Sequence, residues 1–166
     1  MIGIKCGLDS NALDWIVDDP RGIELMDQIE SGAILAIVAA DNAHEVHRIP
    51  DSKAEKRERL QALLKSSFRP LAPTHIPISG IARAGLARIA TPEVMELRRQ
   101  LETIGVAGLD ANHLINTSRE GCEVFVTLDG GILRKRDQIL RLLRVKCVQP
   151  NDPLAMLQAE TSARAG

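Results

Sequence analysis

Leu109-Asp-Ala-Asn-His-Leu-Ile-Asn-Thr-Ser-Arg-Glu-Gly-Cys-Glu-Val-Phe-Val-Thr-Leu-Asp129-Gly-Gly131 is the stretch on which the fold turns. From about Leu109 to Arg119 it reads as a helix entered after Gly105 and Gly108. Gly121 breaks that helix, and Glu123 to Thr127 then reads as a short buried strand. A carboxylate and two glycines follow at once, and a further helix leads to a second apolar run, Val145-Lys-Cys-Val148. Helix, strand, acid, helix, strand is the rhythm of a parallel sheet with helical crossovers.

The same rhythm extends in both directions. Ile2-Gly-Ile-Lys-Cys-Gly-Leu8 is an apolar run that stops at Asp9-Ser10-Asn11, a strand exit into a helix. Asp19 to Ser31 carries Ile23, Met26 and Ile29 at helical spacing, with Pro20 early and Gly32 closing it before the strand-like Ala33–Val38. Asp41 or Asn42 is placed to cap the next helix, and Lys53 to Ser66 is amphipathic through Leu60, Leu63 and Leu64. His75-Ile-Pro-Ile78 is a third candidate strand, near an edge because of its proline, and Ser79 or Gly80 is expected to open an arginine-containing helix to about Ile89. Thr91-Pro92-Glu93 is a helix start, Asn151-Asp152-Pro153 opens a terminal helix, and residues 161–166 read as a flexible tail on one domain spanning 1–160.

The bulk numbers narrow the function. The 166 residues, 45% of them hydrophobic, suffice for one complete core. With 21 Lys and Arg against 22 Asp and Glu, no bulk charge attracts nucleic acid, so any such contact must come from a local patch. Aromatic residues make up 2%, with no Tyr and a single Trp15, which excludes recognition by a platform of stacked rings. Cys6, Cys122 and Cys147 are odd in number and set in or beside apolar runs, as reduced buried thiols are. The chain opens on a strand rather than a leader and has no apolar run of membrane-spanning length, so the expectation is a cytoplasmic protein with no membrane contact.

In an open parallel sheet the ligand crevice lies outside the carboxyl ends of the strands. Four acids fall at such strand exits or in the first turns that follow them: Asp9, Glu45, Asp110 and Asp129. Each also has a plain structural role on offer. Asp9 suits an N-cap, Asp129 a turn before Gly130-Gly131, and Glu45 a capping box with Asn42. Asp110 would be stabilised by its helix dipole whether or not it binds anything. Jointly they are harder to explain that way, because four carboxylates facing one crevice repel unless cations sit among them. Hard divalent ions with oxygen ligands, Mg²⁺ above all, relieve that repulsion, and such a site hydrolyses phosphodiesters through activated water.

Those residues resemble the PIN-domain family, and within it the VapC-like branch of toxin ribonucleases. The likeness is carried by Asp110 to Asp129 with its Thr-x-Asp ending, by Leu8-Asp-Ser-Asn-Ala-Leu13, and by Gln149-Pro-Asn-Asp-Pro-Leu-Ala-Met-Leu157. The resemblance implies a three-layer α/β/α sandwich with about five mainly parallel strands and an Mg²⁺- or Mn²⁺-dependent endoribonuclease. Its acids are Asp9, Glu45, Asp110 and Asp129, with Asp41 the alternative to Glu45. Asn11 and Thr127 match positions that orient carboxylates and water. The resemblance also implies an antitoxin partner that inserts a positive side chain into the acidic pocket, and a homodimer formed through helices near the second strand. The stretch from about Ser66 to Thr103 is longer than in compact toxins of this family.

Arg134-Lys135-Arg136 follows Asp129 closely enough to supply phosphate-binding cations beside the site, or to be a solvated helix face. Arg83 and Arg88, on the expected helix before Thr91, either flank an RNA path or meet solvent. His44, His47, His75 and His113 share no ligand spacing, which speaks against a tetrahedral zinc site. Two other classes compete with the nuclease. One is a PIN-fold binding scaffold with an inactive pocket. The other is a phosphotransfer receiver, whose paired acids after the first strand are lacking in Asp9-Ser10-Asn11.

Overall fold

The computed structural model describes residues 3–39, 46–66, 74–76, 87–89 and 91–152, the side chains of 66, 74–76 and 87–89 excepted. Strand β1 (Ile4–Leu8) leads through Asp9 into α1 (Ser10–Asp18), then come α2 (Gly22–Glu30) and β2 (Ile34–Val38). A 3₁₀ turn at Asp51–Lys53 starts α3 (Ala54–Ser66), and β3 (Thr74–Ile76) and β4 (Ala87–Ile89) follow. The rest runs α4 (Pro92–Thr103), α5 (Gly108–Arg119), β5 (Val124–Val126), α6 (Gly130–Arg134), α7 (Arg136–Leu143) and β6 (Lys146–Val148).

Four strands form a parallel sheet in the order β2-β1-β5-β6, with Cys6 opposite both Ala36 and Val124, and Val124 opposite Lys146. Strand direction alternates side chains between faces. Val124 and Val126 join Ile4, Cys6 and Leu8 in a core completed by α1, α2 and Leu60 of α3, whereas Phe125 and Cys147 point the other way into a core shared with α4, α5 and α7. Helices thus cover both faces, an arrangement that fits a three-layer α/β/α sandwich, and short strands buried on both sides read as the continuous apolar runs seen in the sequence. Phe125, 1% exposed, is the largest fully buried side chain, and burial of one such group contributes roughly 1.5–3 kcal/mol.

Three expectations need correction, the last of them in the helix that follows Asp129. The main sheet has four strands among the described residues, not about five, because the third candidate strand is Thr74–Ile76 and pairs in parallel with Ala87–Ile89 as a separate two-stranded sheet. For the same reason Arg88 lies on a strand and not on a helix running to Ile89. Three residues carry too little periodicity to reveal a strand, and pairing is settled by tertiary neighbours. Elsewhere the reading of the chain holds: Thr91 caps α4, with its hydroxyl accepting from the Val94 amide and Pro92 following it. The single helix expected after Asp129 is broken at Lys135 into α6 and α7. The terminal helix expected from Asn151 lies outside the described residues beyond Asp152. Cys6, Cys122 and Cys147 are free and buried, and burial pushes their thiols up to about 12, 11 and 12, which keeps them protonated and inert. No helix among the described residues is long and apolar enough to cross a membrane.

One contact fixes the site's geometry. Gly7 lets α5 lie directly on β1, since a Cβ there would collide with the Thr117 side chain. Helix α5 is buried on all sides from Ala111 to Thr117, packed between the sheet and β3. Its N-terminal turn, with Asp110, therefore stands over the carboxyl ends of β1 and β5.

Candidate functional site

At those carboxyl ends the ladder continues one residue beyond each strand: the Asp9 amide donates to Val126 O and the Thr127 amide to Val148 O, both at 3.0 Å. Asp9 and Thr127 are thereby held side by side. Asp9 is 6% exposed and Thr127 fully buried. The Thr127 hydroxyl has one proton, and it goes to Asp9 Oδ2 at 2.8 Å. Thr127 Oγ1 itself accepts from the Asp129 amide at 3.0 Å and from Asn11 Nδ2 at 3.3 Å. Asn11 Oδ1 in turn accepts from the Leu128 amide at 2.9 Å. Asn11 and Thr127 thus tie the exits of β1 and β5 into one lattice.

Asp9 Oδ1 accepts from the Ser10 amide at 2.8 Å and faces His113 Nδ1 at 3.7 Å. That last separation exceeds hydrogen-bond length, so His113 stands beside the carboxylate without a made bond. Burial alone would raise the Asp9 carboxyl; interaction with His113, the Thr127 hydroxyl and the Ser10 amide outweighs it and holds the group below its ordinary value. Asp129 caps α6, its Oδ1 accepting from Gly131 N at 2.6 Å and Ile132 N at 3.0 Å, which leaves Oδ2 open to solvent. Asp110, in the exposed first turn of α5, receives no hydrogen bond from any described residue. Burial raises its carboxyl first, and the negative charges of Asp9 and Asp129 raise it further.

Asp110 therefore feels the charge of both Asp9 and Asp129, and Thr127, itself bonded to Asn11, bridges Asp9 to the Asp129 amide. The capping roles of Asp9 and Asp129 are also real: Asp9 engages both its oxygens within the fold, whereas Asp129 caps α6 through Oδ1 and has no described partner at Oδ2. Glu45 and its alternative Asp41 lie outside the described residues. Arg134 is exposed beside Gly130, Arg136 is exposed, and Lys135 turns away to donate to Gly105 O at 2.5 Å. The sequence reading passed over His113, which is 4% exposed. Its signal was the i, i+3 spacing from Asp110, which puts both on one side of α5.

The donor set fits a hard divalent cation in kind. Among the described residues no Lys or Arg forms an ion pair with Asp9, Asp110 or Asp129, and carboxylate oxygens on two of the three are free. Magnesium is commonly held by one or two carboxylates, with water completing the shell. No three His, Cys, Asp or Glu side chains among the described residues stand close enough to form a full protein ligand set, so an ion here would be held largely through water.

No protein-family model matches the chain, and no curated protein matches it. Among solved structures it is similar to the crystal structure of PAE2754 from Pyrobaculum aerophilum, with 14% sequence identity and a TM-score of 0.53 over 94% of this chain and 96% of that one. At that identity the likeness shows a shared fold.

Proposed function

We propose that the chain is a PIN-like, Mg²⁺- or Mn²⁺-dependent endoribonuclease. The observation that carries this reading is the placement of Asp9, Asp110 and Asp129 at the carboxyl ends of β1 and β5, with the Asp110 carboxyl raised by burial and by the charges of the other two and no arginine or lysine among the described residues paired with any of them. A bound divalent ion supplies Lewis-acid stabilisation of the charge that develops on a phosphodiester and makes water a competent nucleophile near neutral pH. In this chain Asp110 and the free Oδ2 of Asp129 are the oxygens best placed to hold it, and Asp9 the one best fixed in position. Thr127 and Asn11 keep these groups in register by bridging both strand exits. A toxin role with an antitoxin partner and a homodimer belong to the same proposal through the PIN resemblance.

The test is cleavage of single-stranded RNA with Mn²⁺ by the parent protein and by Asp9→Asn and Asp110→Asn. Loss of cleavage in both variants, with folding intact, supports the reading; equal rates in all three proteins end it. A second reading is favoured by one observation, the lack of a complete ligand set among the described residues: a binding scaffold with an inactive acidic pocket. Calorimetry separates the two, because Mn²⁺ binding that is lost in Asp110→Asn belongs to the enzyme, and no heat at millimolar Mn²⁺ belongs to the scaffold.

A further inference from the structure

Residues 134–152 contain six Lys or Arg and two Asp, which leaves 15 basic against 20 acidic residues for the rest of the chain. The local basic patch that the overall charge denies is therefore here. Some cations elsewhere are partnered, Lys56 with Asp14 and Asp18, Arg57 with Asp51, Arg98 with Glu102 and Arg99 with Glu96, whereas Arg48, Lys53, Arg59, Lys65 and Arg119 are exposed without an ion pair to a described carboxylate but are scattered along the chain. Arg134, Arg136 and Lys146 are exposed, and no described carboxylate lies within ion-pair distance of any of them.

Their placement is not scattered. The Arg134 guanidinium folds back over Gly130, where a Cβ would meet its Nη1 at 3.3 Å, and so stands next to Asp129. Arg136 and Lys146 both line a cavity of about 420 Å³ between α7 and β6, together with Leu140, Val148, Asp137 and Asp152. Asp152 is occupied by the Gln149 amide at 2.8 Å, and Asp137 lies in the first turn of α7, where the helix dipole offsets its charge. Val148 O accepts the Thr127 amide, so the cavity begins one hydrogen bond away from the residue that holds Asp9.

We infer that the α7–β6 cavity, lined by Arg136 and Lys146, binds a backbone phosphate of single-stranded RNA flanking the phosphodiester held at the acids, with Arg134 between the two positions. The inference rests on the ribonuclease reading for the identity of the strand. The scarcity of aromatic side chains leaves phosphate contacts as the means of holding it.

Binding is measured without divalent ions, in EDTA, by fluorescence anisotropy of a labelled oligouridine roughly 12 nucleotides long, using full-length Asp9→Asn protein over a series of salt concentrations. Arg136→Gln and Lys146→Gln, each added to that background, are expected to weaken binding about 3- to 10-fold and to lower the slope of log K against log salt by about 0.7 each, the value for one phosphate contact on a single strand. Arg141→Gln serves as the control, because Arg141 lines a different cavity with Arg99 and Leu142. An unchanged slope in both test variants, an equal loss in Arg141→Gln, or equal competition by polyglutamate of matched charge would overturn the assignment. Altered slopes with no cleavage by the parent would sink the nuclease reading and leave the RNA site standing; cleavage with unaltered slopes would do the reverse.

Discussion

The two sides of the acidic crevice are built in opposite ways. On the sheet side, Asp9 is buried, anchored by two made hydrogen bonds and His113, and held more acidic than usual. On the helix side, Asp110 is exposed, receives no hydrogen bond from any described residue, and is held less acidic than usual by burial and two neighbouring charges. The fold has spent its hydrogen bonds on one carboxylate and left the other free to respond to whatever enters. Under the proposed reading, a ligand that brings positive charge would gain most from Asp110 and Asp129 Oδ2, while Asp9 would set where it sits. Positional precision and responsiveness are divided between different residues, as expected of a site organised before its ligand arrives.

The largest expected effect tests the sheet side. Asp9→Asn should lower RNA cleavage by more than about 100-fold, the upper range for loss of a mere supporting partner of a metal ligand. Initial rates in Mn²⁺ decide it, and a loss of only a few-fold would demote Asp9 to a helix cap. Thr127→Val comes next. It removes the hydroxyl that bridges Asp9, Asp129 and Asn11 while keeping the strand's shape, leaving buried polar groups without partners at a cost of about 1–3 kcal/mol. For a chain of this size that corresponds to a fall in Tm of roughly 2–4 °C per kcal/mol. Thermal melts without metal would show it, and an unchanged Tm would mean that the lattice is not what holds the sheet side rigid.

Acid sharpens the same contrast. Asp9, held below its ordinary value, contributes stability that is present above the usual carboxylate range and is lost as pH falls through its lowered value. Asp110, held above its ordinary value, contributes stability in acid that is lost as pH rises through its raised value. Thr127→Val removes one of the groups that keep Asp9 acidic, so its acid unfolding limb should move to higher pH than that of the parent. Urea midpoints followed across the acid range would register the shift, and superimposable limbs would assign the low Asp9 value to His113 and Ser10 alone.

How much of this was legible beforehand follows from what each residue depends on. Asp9 and Asp129 were visible because a strand exit followed by Ser-Asn or Gly-Gly is a local signal, and both their capping role and their position at the carboxyl ends of β1 and β5 are present. Asp110 was visible only as a first-turn acid; that it stands over Asp9 depends on Gly7 admitting α5 against β1, a contact between residues more than a hundred positions apart. His113 was weighed only as a zinc ligand and set aside for want of shared spacing with the other histidines, and its proximity to Asp9 is a consequence of that same packing. The β3–β4 pair was read as strand and helix because three-residue strands have almost no period of their own. Local chemistry was readable, and long-range apposition was not.

The smallest effect belongs to the helix side and is the most discriminating. Asp110→Asn removes one of three repelling charges without breaking any hydrogen bond to a described residue, so the metal-free protein should become slightly more stable at neutral pH, by a few tenths of a kcal/mol given its exposure to solvent. Saturating Mn²⁺ should reverse the ranking, because the parent gains stabilisation from a ligand that binds only the folded state and the variant gains less. Melts of both proteins with and without Mn²⁺ would reveal the crossing. A variant less stable than the parent in both conditions would mean that Asp110 is held by favourable contacts and not by the tension proposed here, and the two sides of the crevice would then differ in exposure alone.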